Sequence, residues 1–312
     1  MPQYYLLPKR LAKKVPATRK PVWLLEAALL RSLITMVRLL PFSAAAGLLA
    51  WLFGIMVYRN AKKRKVVRRN LSFVKPDLSR EELEPLVKEV LRSTGLAAAE
   101  LFLADKVWRQ RHERIEFDVH PEALAIMQAG QSAVFFSAHI EAWQYCSFLS
   151  LEYGVNLSIL YAREANPWLH HRFLQLRQNT GARMVESQGG VKTFMRELSL
   201  GHSVGAAFDG RLDGGEDYPF FGVNTATNDL APRLSLRGYP LIPSRCRRLP
   251  GHRYRVEIMA PLKPRNPQAS RREQTRDLAL QVLAYYEEWI TQDPGQWLCL
   301  KRRWPKDAEP AK

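Results

Sequence analysis

Cysteine is scarce, with three residues in 312, at Cys146, Cys246 and Cys299. A set this small, odd and widely spaced builds neither a disulfide framework nor a zinc site, and it fits a reducing compartment. No Cys-x-x-Cys, His-Glu-x-x-His or calcium-loop spacing occurs, so no metal and no cofactor are expected. Internal repeats and low-complexity linkers are also absent. Acidic residues are missing from one end of the chain: Glu26 is the single carboxylate in residues 1–75.

That shortage organises the charge. The formal net charge is +17. Residues 1–75 hold sixteen Lys and Arg against Glu26, a net of +15, and the other 237 residues carry only +2. A total of +17 suggests a nucleic-acid binder, but its distribution does not. The aromatic residues of the basic segment sit with aliphatics rather than between bases, so nucleic acid is not the expected partner. Hydrophobic residues make up 46% and charged residues 25%, which excludes disorder, collagen and a polytopic bundle.

The basic segment is also apolar. Val22 to Leu40 (VWLLEAALLRSLITMVRLL) reads as an amphipathic helix that Pro41 breaks. Phe42 to Tyr58 is seventeen residues without a charge, just short of the roughly 20 that span a bilayer. Trp51 and Tyr58 suit the headgroup boundary. The run RNAKKRKVVRR follows, and such bases beside an apolar helix attract anionic lipid by on the order of 1 kcal/mol each. Bases flank the apolar run on both sides, so a single span and an interfacial hairpin fit equally. The expected organisation is a membrane-anchoring arm over residues 1–75 and one α/β body over residues 76–312.

Ser79 and Glu82 predict a capping box ahead of a long helix. From residue 130 short apolar strands alternate with helical segments. The strands are Gln131–Ala138, Leu157–Ala162, Ser203–Phe208, Leu241–Arg245 and Tyr254–Met259. The helices are Glu141–Leu151, Trp168–Thr180, Val191–Leu200, Leu230–Arg237 and Arg271–Thr291. This rhythm predicts an α/β fold with a mostly parallel central sheet flanked by helices.

In such sheets ligands bind beyond the carboxyl ends of the strands. Three strand ends carry useful chemistry. His139 stands past the first strand as a candidate general base. Arg163 ends the second and could clamp a phosphate. Asp209 ends the third, ahead of Gly210. Singly, a strand-end His is more often structural, an Arg more often surface, and an Asp-Gly more often turn chemistry. Together they form a site if their strands are neighbours.

At these residues the chain resembles the bacterial lipid A biosynthesis acyltransferases, the lauroyl/myristoyl transferases of the lysophospholipid-acyltransferase superfamily. The likeness runs through Arg69-Asn70-Leu71, Pro76 to Glu82, the His139 strand, Tyr161-x-Arg163 with Asn166-Pro167, and Gly181-Ala182 before a short strand. It continues through Asp209, Tyr218-Pro219-Phe220-Phe221-Gly222, and Pro294-Gly295-Gln296-Trp297 with Arg302-Arg303-Trp304. The resemblance implies a membrane-associated enzyme on the cytoplasmic face of the bacterial inner membrane. It would move a fatty acyl group from an acyl carrier protein or coenzyme A thioester to a hydroxyl of a lipid acceptor. His139 would be the base, Asp209 a catalytic partner, and Arg163 and Arg303 substrate-binding residues.

The chain departs from the family pattern where an acidic residue is expected five positions after the His: Gln144 stands there. Three readings follow. Asp209 or Glu141 supplies the missing charge, with Asp209 favoured because a helix beginning at Glu141 would aim that side chain away. Alternatively, Gln144 suffices for a slower or altered reaction, or the protein binds lipid without catalysis. Lys301 stands where the family often has His. Arg245, Arg247 and Arg248 form a candidate patch for an acidic carrier protein. Trp143, Phe148, Phe220 and Phe221 are candidate walls for an acyl chain.

Overall fold

The computed structural model describes residues 19–161, 163–186 and 190–311. Three helices open it: α1 (Arg19–Leu39), α2 (Phe42–Tyr58) and α3 (Ala61–Val74). Pro41 separates the first two, and the Asn60 side chain caps the third by accepting from the Lys63 amide. The long α4 (Leu83–Phe102) follows. Ser79 and Glu82 exchange both bonds of the expected capping box just before it.

The body then runs β1 (Ile115–Val119), α5 (Pro121–Gln128), β2 (Val134–Ser137), β3 (Leu157–Tyr161), α6 (Pro167–Gln178), β4 (Arg183–Glu186), α7 (Gly190–Ser199) and β5 (Ser203–Ala207). It continues with β6 (Arg211–Phe220), β7 (Val223–Thr227), α8 (Leu230–Ser235), β8 (Leu241–Leu249), β9 (Arg253–Ile258) and α9 (Arg271–Gln292). Seven strands form one sheet in the order β1-β9-β8-β2-β5-β3-β4. Every neighbouring pair is parallel except β8 and β9. This is the mostly parallel, helix-flanked α/β fold expected.

All four residues of β2 are buried, as in a central strand covered on both faces. Val134 and Phe136 point into the layer holding α9, where the Phe136 ring lies 6.5 Å from Trp289. Phe135 points into the opposite layer with Leu157, Ile242 and Tyr254.

The segment read as a helix from Glu141 is different. Glu141 sits at φ 51, a 3₁₀ turn covers Trp143–Phe148, and α-helix occupies only Leu149–Tyr153. The apolar spacing is right, but the chain must first turn sharply away from the sheet. Strands β1, β4, β6 and β7 have no counterpart in the periodicity reading; β4 is the short strand that the resemblance placed after Gly181-Ala182. Two glycines and three acids in β6 (RLDGGEDYPF) hide a strand that forms by pairing with β7. Phe221 (φ 49) and Gly222 (φ 74) make the two-residue hairpin turn.

The N-terminal helices pack on the body. Ala45, Ala46, Leu49 and Ala50 of α2 are buried, and α4 meets them with Gly95, where a Cβ would lie 2.3 Å from the Leu49 carbonyl oxygen. Val67, Leu71, Phe73 and Val74 of α3 join the main core. Asn166 at the start of α6 donates to the Trp23 carbonyl and Glu26, tying α1 down. No described helix is by itself long and apolar enough to cross a membrane. Helices α2 and α3 pass that test together but bend by 98° between them. The apolar side chains of Leu24, Leu25, Leu29, Leu39, Trp51 and Met56 remain exposed.

Candidate active site

The three chemistry-bearing strand ends are neighbours. Strand β5 lies between β2 and β3 and pairs in parallel with both. His139 therefore follows β2, Asp209 follows β5 beside it, and Arg163 follows β3 one strand further.

His139 and Asp209 are in direct contact. The imidazole Nδ1 lies 2.7 Å from Asp209 Oδ1, and the His139 backbone N–H donates to the same oxygen at 3.1 Å. Trp297 Nε1 donates to Oδ2 at 2.8 Å. Burial opposes ionisation of Asp209, but His139 and these donors overcome it and hold the carboxyl down at about 2. An ionised carboxylate only accepts, so Nδ1 carries the proton and Nε2 keeps its lone pair. For His139, burial alone would lower the pKa; the Asp209 charge and hydrogen bond outweigh it, against opposition from Lys301, and the net shift is upward. The carboxylate is 5% exposed and the imidazole 46%, so the base reaches solvent while its orienting group does not.

The loop holding His139 is clamped from two sides. Leu298 N–H donates to the His139 carbonyl, and Ile140 bridges to Trp297. Glu141, buried and left-handed, accepts from Arg245 Nε and Nη2 and from the Arg248 amide, while its own amide donates to the Gln296 carbonyl. Arg248 also pairs with buried Glu100. Glu141 thus points away from His139 toward Arg245, because of its left-handed backbone and not because a helix begins there as expected. Arg245 and Arg248 are occupied by these ion pairs and do not form the surface patch envisaged with Arg247.

A cavity of about 460 Å³ opens beside His139. Its floor is one face of the sheet: Phe135 and Ser137 of β2, Gly205 and Ala207 of β5, and Leu157 and Ile159 of β3. Leu149, Cys146 and Met184 add apolar wall, and Trp143, edge-on to the His139 ring at 5.4 Å, stands at the mouth. Of the four aromatic residues considered for an acyl wall, Trp143 alone lines it. Phe148 packs in the core against Tyr145, and Phe220 and Phe221 belong to the hairpin beside Trp304.

The remaining sequence candidates fall elsewhere around the site. Gln144 lines the cavity and donates to the Ala97 carbonyl at 3.0 Å, so Asp209 and not Gln144 is the group at Nδ1. Arg163 is exposed, with its guanidinium 3.6 Å from Glu186. Arg303 is buried: it donates to Thr225 Oγ1, the Ala226 carbonyl and Thr227 Oγ1, and it covers the Phe220 ring at 4.7 Å. Burial lowers its pKa to about 10 despite the nearby Asp209 charge. Its guanidinium therefore holds β7 in place behind the site.

The motif that contains Trp297 does not reveal that its indole donates to the second oxygen of Asp209. A lone indole 88 positions away carries no spacing signal for such a contact. Among the described residues no group of His, Cys, Asp or Glu could hold a metal ion.

The family model described as bacterial lipid A biosynthesis acyltransferase matches residues 11–306. No curated protein matches the chain.

Proposed function

The chain belongs to the bacterial lipid A biosynthesis acyltransferase family, and from that membership we propose that it transfers a fatty acyl group from a thioester donor to a hydroxyl of a lipid A-type or related glycolipid acceptor, with His139 as general base. The supporting observation is the His139–Asp209 pair at the mouth of an apolar cavity. The cavity suits an acyl chain, and Nε2 is the free basic atom beside it.

In this reading the acceptor O–H gives its proton to His139 Nε2 as its oxygen bonds to the thioester carbonyl carbon. The C–S bond then breaks, and the leaving thiolate recovers the proton from the imidazolium. Asp209 fixes the tautomer and stabilises the transient imidazolium. No charged group is required at residue 144. Arg163, exposed past β3, contacts the acceptor headgroup. Arg303 acts on substrate only through the hairpin it supports. The donor is carried by acyl carrier protein or coenzyme A. Residues 1–75 anchor the enzyme to the anionic cytoplasmic face of the inner membrane through the exposed apolar side chains of α1 and α2 and the bases around them. Residues 76–312 form the acyltransferase-like domain.

The test is acyl transfer from a long-chain acyl carrier protein or acyl coenzyme A to a lipid A precursor, with wild type and His139→Ala. Transfer by the wild type and its loss in the variant, with vesicle binding retained, support the reading. Undiminished transfer by His139→Ala overturns the role of His139. Absence of transfer by the wild type from either donor favours a lipid-binding member without catalysis.

A further inference from the structure

The cavity mouth carries a cation that the protein does not neutralise. Lys301 lines the cavity with His139 and is exposed. Among the described residues its ammonium makes no hydrogen bond or ion pair. Its backbone is held in place: the Lys301 carbonyl accepts from Asn70 Nδ2 at 2.7 Å. One residue back, the Leu300 carbonyl accepts from Lys63 Nζ at 3.1 Å, which brings the start of α3 against the same segment. Lys62 lies beside Lys63, exposed, with no carboxylate partner among the described residues.

Lys301 thus stands at the cavity beside the base, and Lys63 lies against the segment that carries it, with Lys62 next in sequence. The first turn of α3 contains no acidic residue, although cations are disfavoured at a helix start. The repulsion is felt: burial first, then the Lys301 and Lys62 charges, depress the Lys63 pKa. Lys301 also works weakly against protonation of His139. Like charges gathered in this way cost free energy until an anion completes the cluster. Lysines act as point charges toward phosphate, without the planar fork that Arg offers a carboxylate.

We propose that Lys301, with Lys63 against the same segment, forms a phosphate-binding subsite beside His139 that seats a phosphate group of one of the two substrates. The inference rests on the acyl-transfer reading above and deepens it. Phosphate chemistry has two possible sources here: the headgroup of the acceptor, or the arm through which a carrier presents the thioester. In either case the subsite fixes that substrate relative to Nε2, leaving the apolar cavity to the chain.

The subsite is tested first without catalysis. Inorganic phosphate is titrated into the full-length protein and followed by phosphorus NMR line broadening, for wild type, Lys301→Gln and Lys301→Arg. The expected result is binding weakened about tenfold or more in Lys301→Gln, the loss of one charge-assisted contact, and largely kept in Lys301→Arg. Phosphate binding indifferent to Lys301→Gln overturns the proposal. Steady-state kinetics then separate the sources. If the acceptor supplies the phosphate, Lys301→Gln raises KM for a phosphorylated acceptor and leaves the dephosphorylated one unchanged. If the donor supplies it, the same contrast appears between an acyl carrier protein donor and an acyl-N-acetylcysteamine donor that lacks the phosphate. An equal effect on both forms of both substrates overturns the proposal. Wild-type protein that binds phosphate through Lys301 but transfers no acyl group would refute the acyl-transfer reading and leave the subsite standing.

Discussion

At the scale of single residues the site turns on one buried carboxylate. Asp209 raises the pKa of His139 and fixes its tautomer. Asp209→Asn removes the charge, so the His139 pKa falls and the acid limb of the kcat/KM pH profile moves to lower pH. The plateau falls as well, by about 10²- to 10⁴-fold, because an amide can present the wrong tautomer and does not stabilise an imidazolium. A profile that keeps its acid limb and plateau would remove Asp209 from the mechanism. The pair also links stability to pH. Asp209, depressed from the ordinary carboxylate value to about 2, contributes stability that is present above pH ~4 and lost as pH falls toward 2, about 2 kcal/mol. His139, with a raised pKa, contributes stability that is complete below its unfolded value and fades as pH rises through the folded one. Thermal melts from pH 5 to 2 are therefore expected to fall more steeply for wild type than for Asp209→Asn. Gln144→Glu, which would restore the family's acid, is expected to lower activity. A carboxylate there cannot donate to the Ala97 carbonyl and leaves that acceptor facing a like partial charge, costing about 1–3 kcal/mol. Increased turnover in Gln144→Glu would show that the acid can still reach the imidazole.

At the scale of elements, the contact between α2 and α4 depends on a missing side chain. Gly95 lets the two backbones meet, and an added Cβ would lie 2.3 Å from the Leu49 carbonyl oxygen and 2.6 Å from Ala50 Cα. Alanine is the better helix former by about 1 kcal/mol, but backbone cannot yield as a flexible side chain can. Gly95→Ala is therefore expected to lower stability by about 1–3 kcal/mol, read from denaturant midpoints. Unchanged stability would mean that the helices separate freely. The hairpin of β6 and β7 shows the same dependence on partners. Strand β6 lacks a strand-like sequence, and Arg303 and Trp304 hold the hairpin from the C-terminal segment: Trp304 Nε1 donates to the Phe220 carbonyl, and its ring stacks on Phe73 at 4.3 Å. One terminal segment thus joins the hairpin, α3, Asp209 and the His139 loop.

At the scale of the whole molecule, +15 of the net charge of +17 lies in residues 1–75, whose described helices rest on the α/β body. The exposed apolar side chains of α1 and α2 lie among bases. Binding of the full chain to vesicles containing anionic phospholipid is expected to weaken as salt rises from about 0.05 to 0.5 M, over which screening becomes much shorter-ranged. Salt-independent binding, or equal binding to neutral vesicles, would assign the attachment to apolar insertion alone.

The alternation of apolar strands with helices, the capping box at Ser79, the break at Pro41 and the strand-end positions of His139, Arg163 and Asp209 were all legible in the sequence. Each depends on local periodicity, backbone restriction or the direction of the chain. The sequence could not show that β5 lies between β2 and β3, that Trp297 reaches Asp209, or that Arg245 and Arg248 are consumed by buried acids. These contacts join residues 46 to 148 positions apart, and no local propensity encodes such a distance. Residue type and spacing alone determined which groups could do the chemistry. Packing of the sheet and of the C-terminal segment decided which carboxylate meets the imidazole, because burial and hydrogen-bond geometry exist only once the chain has folded.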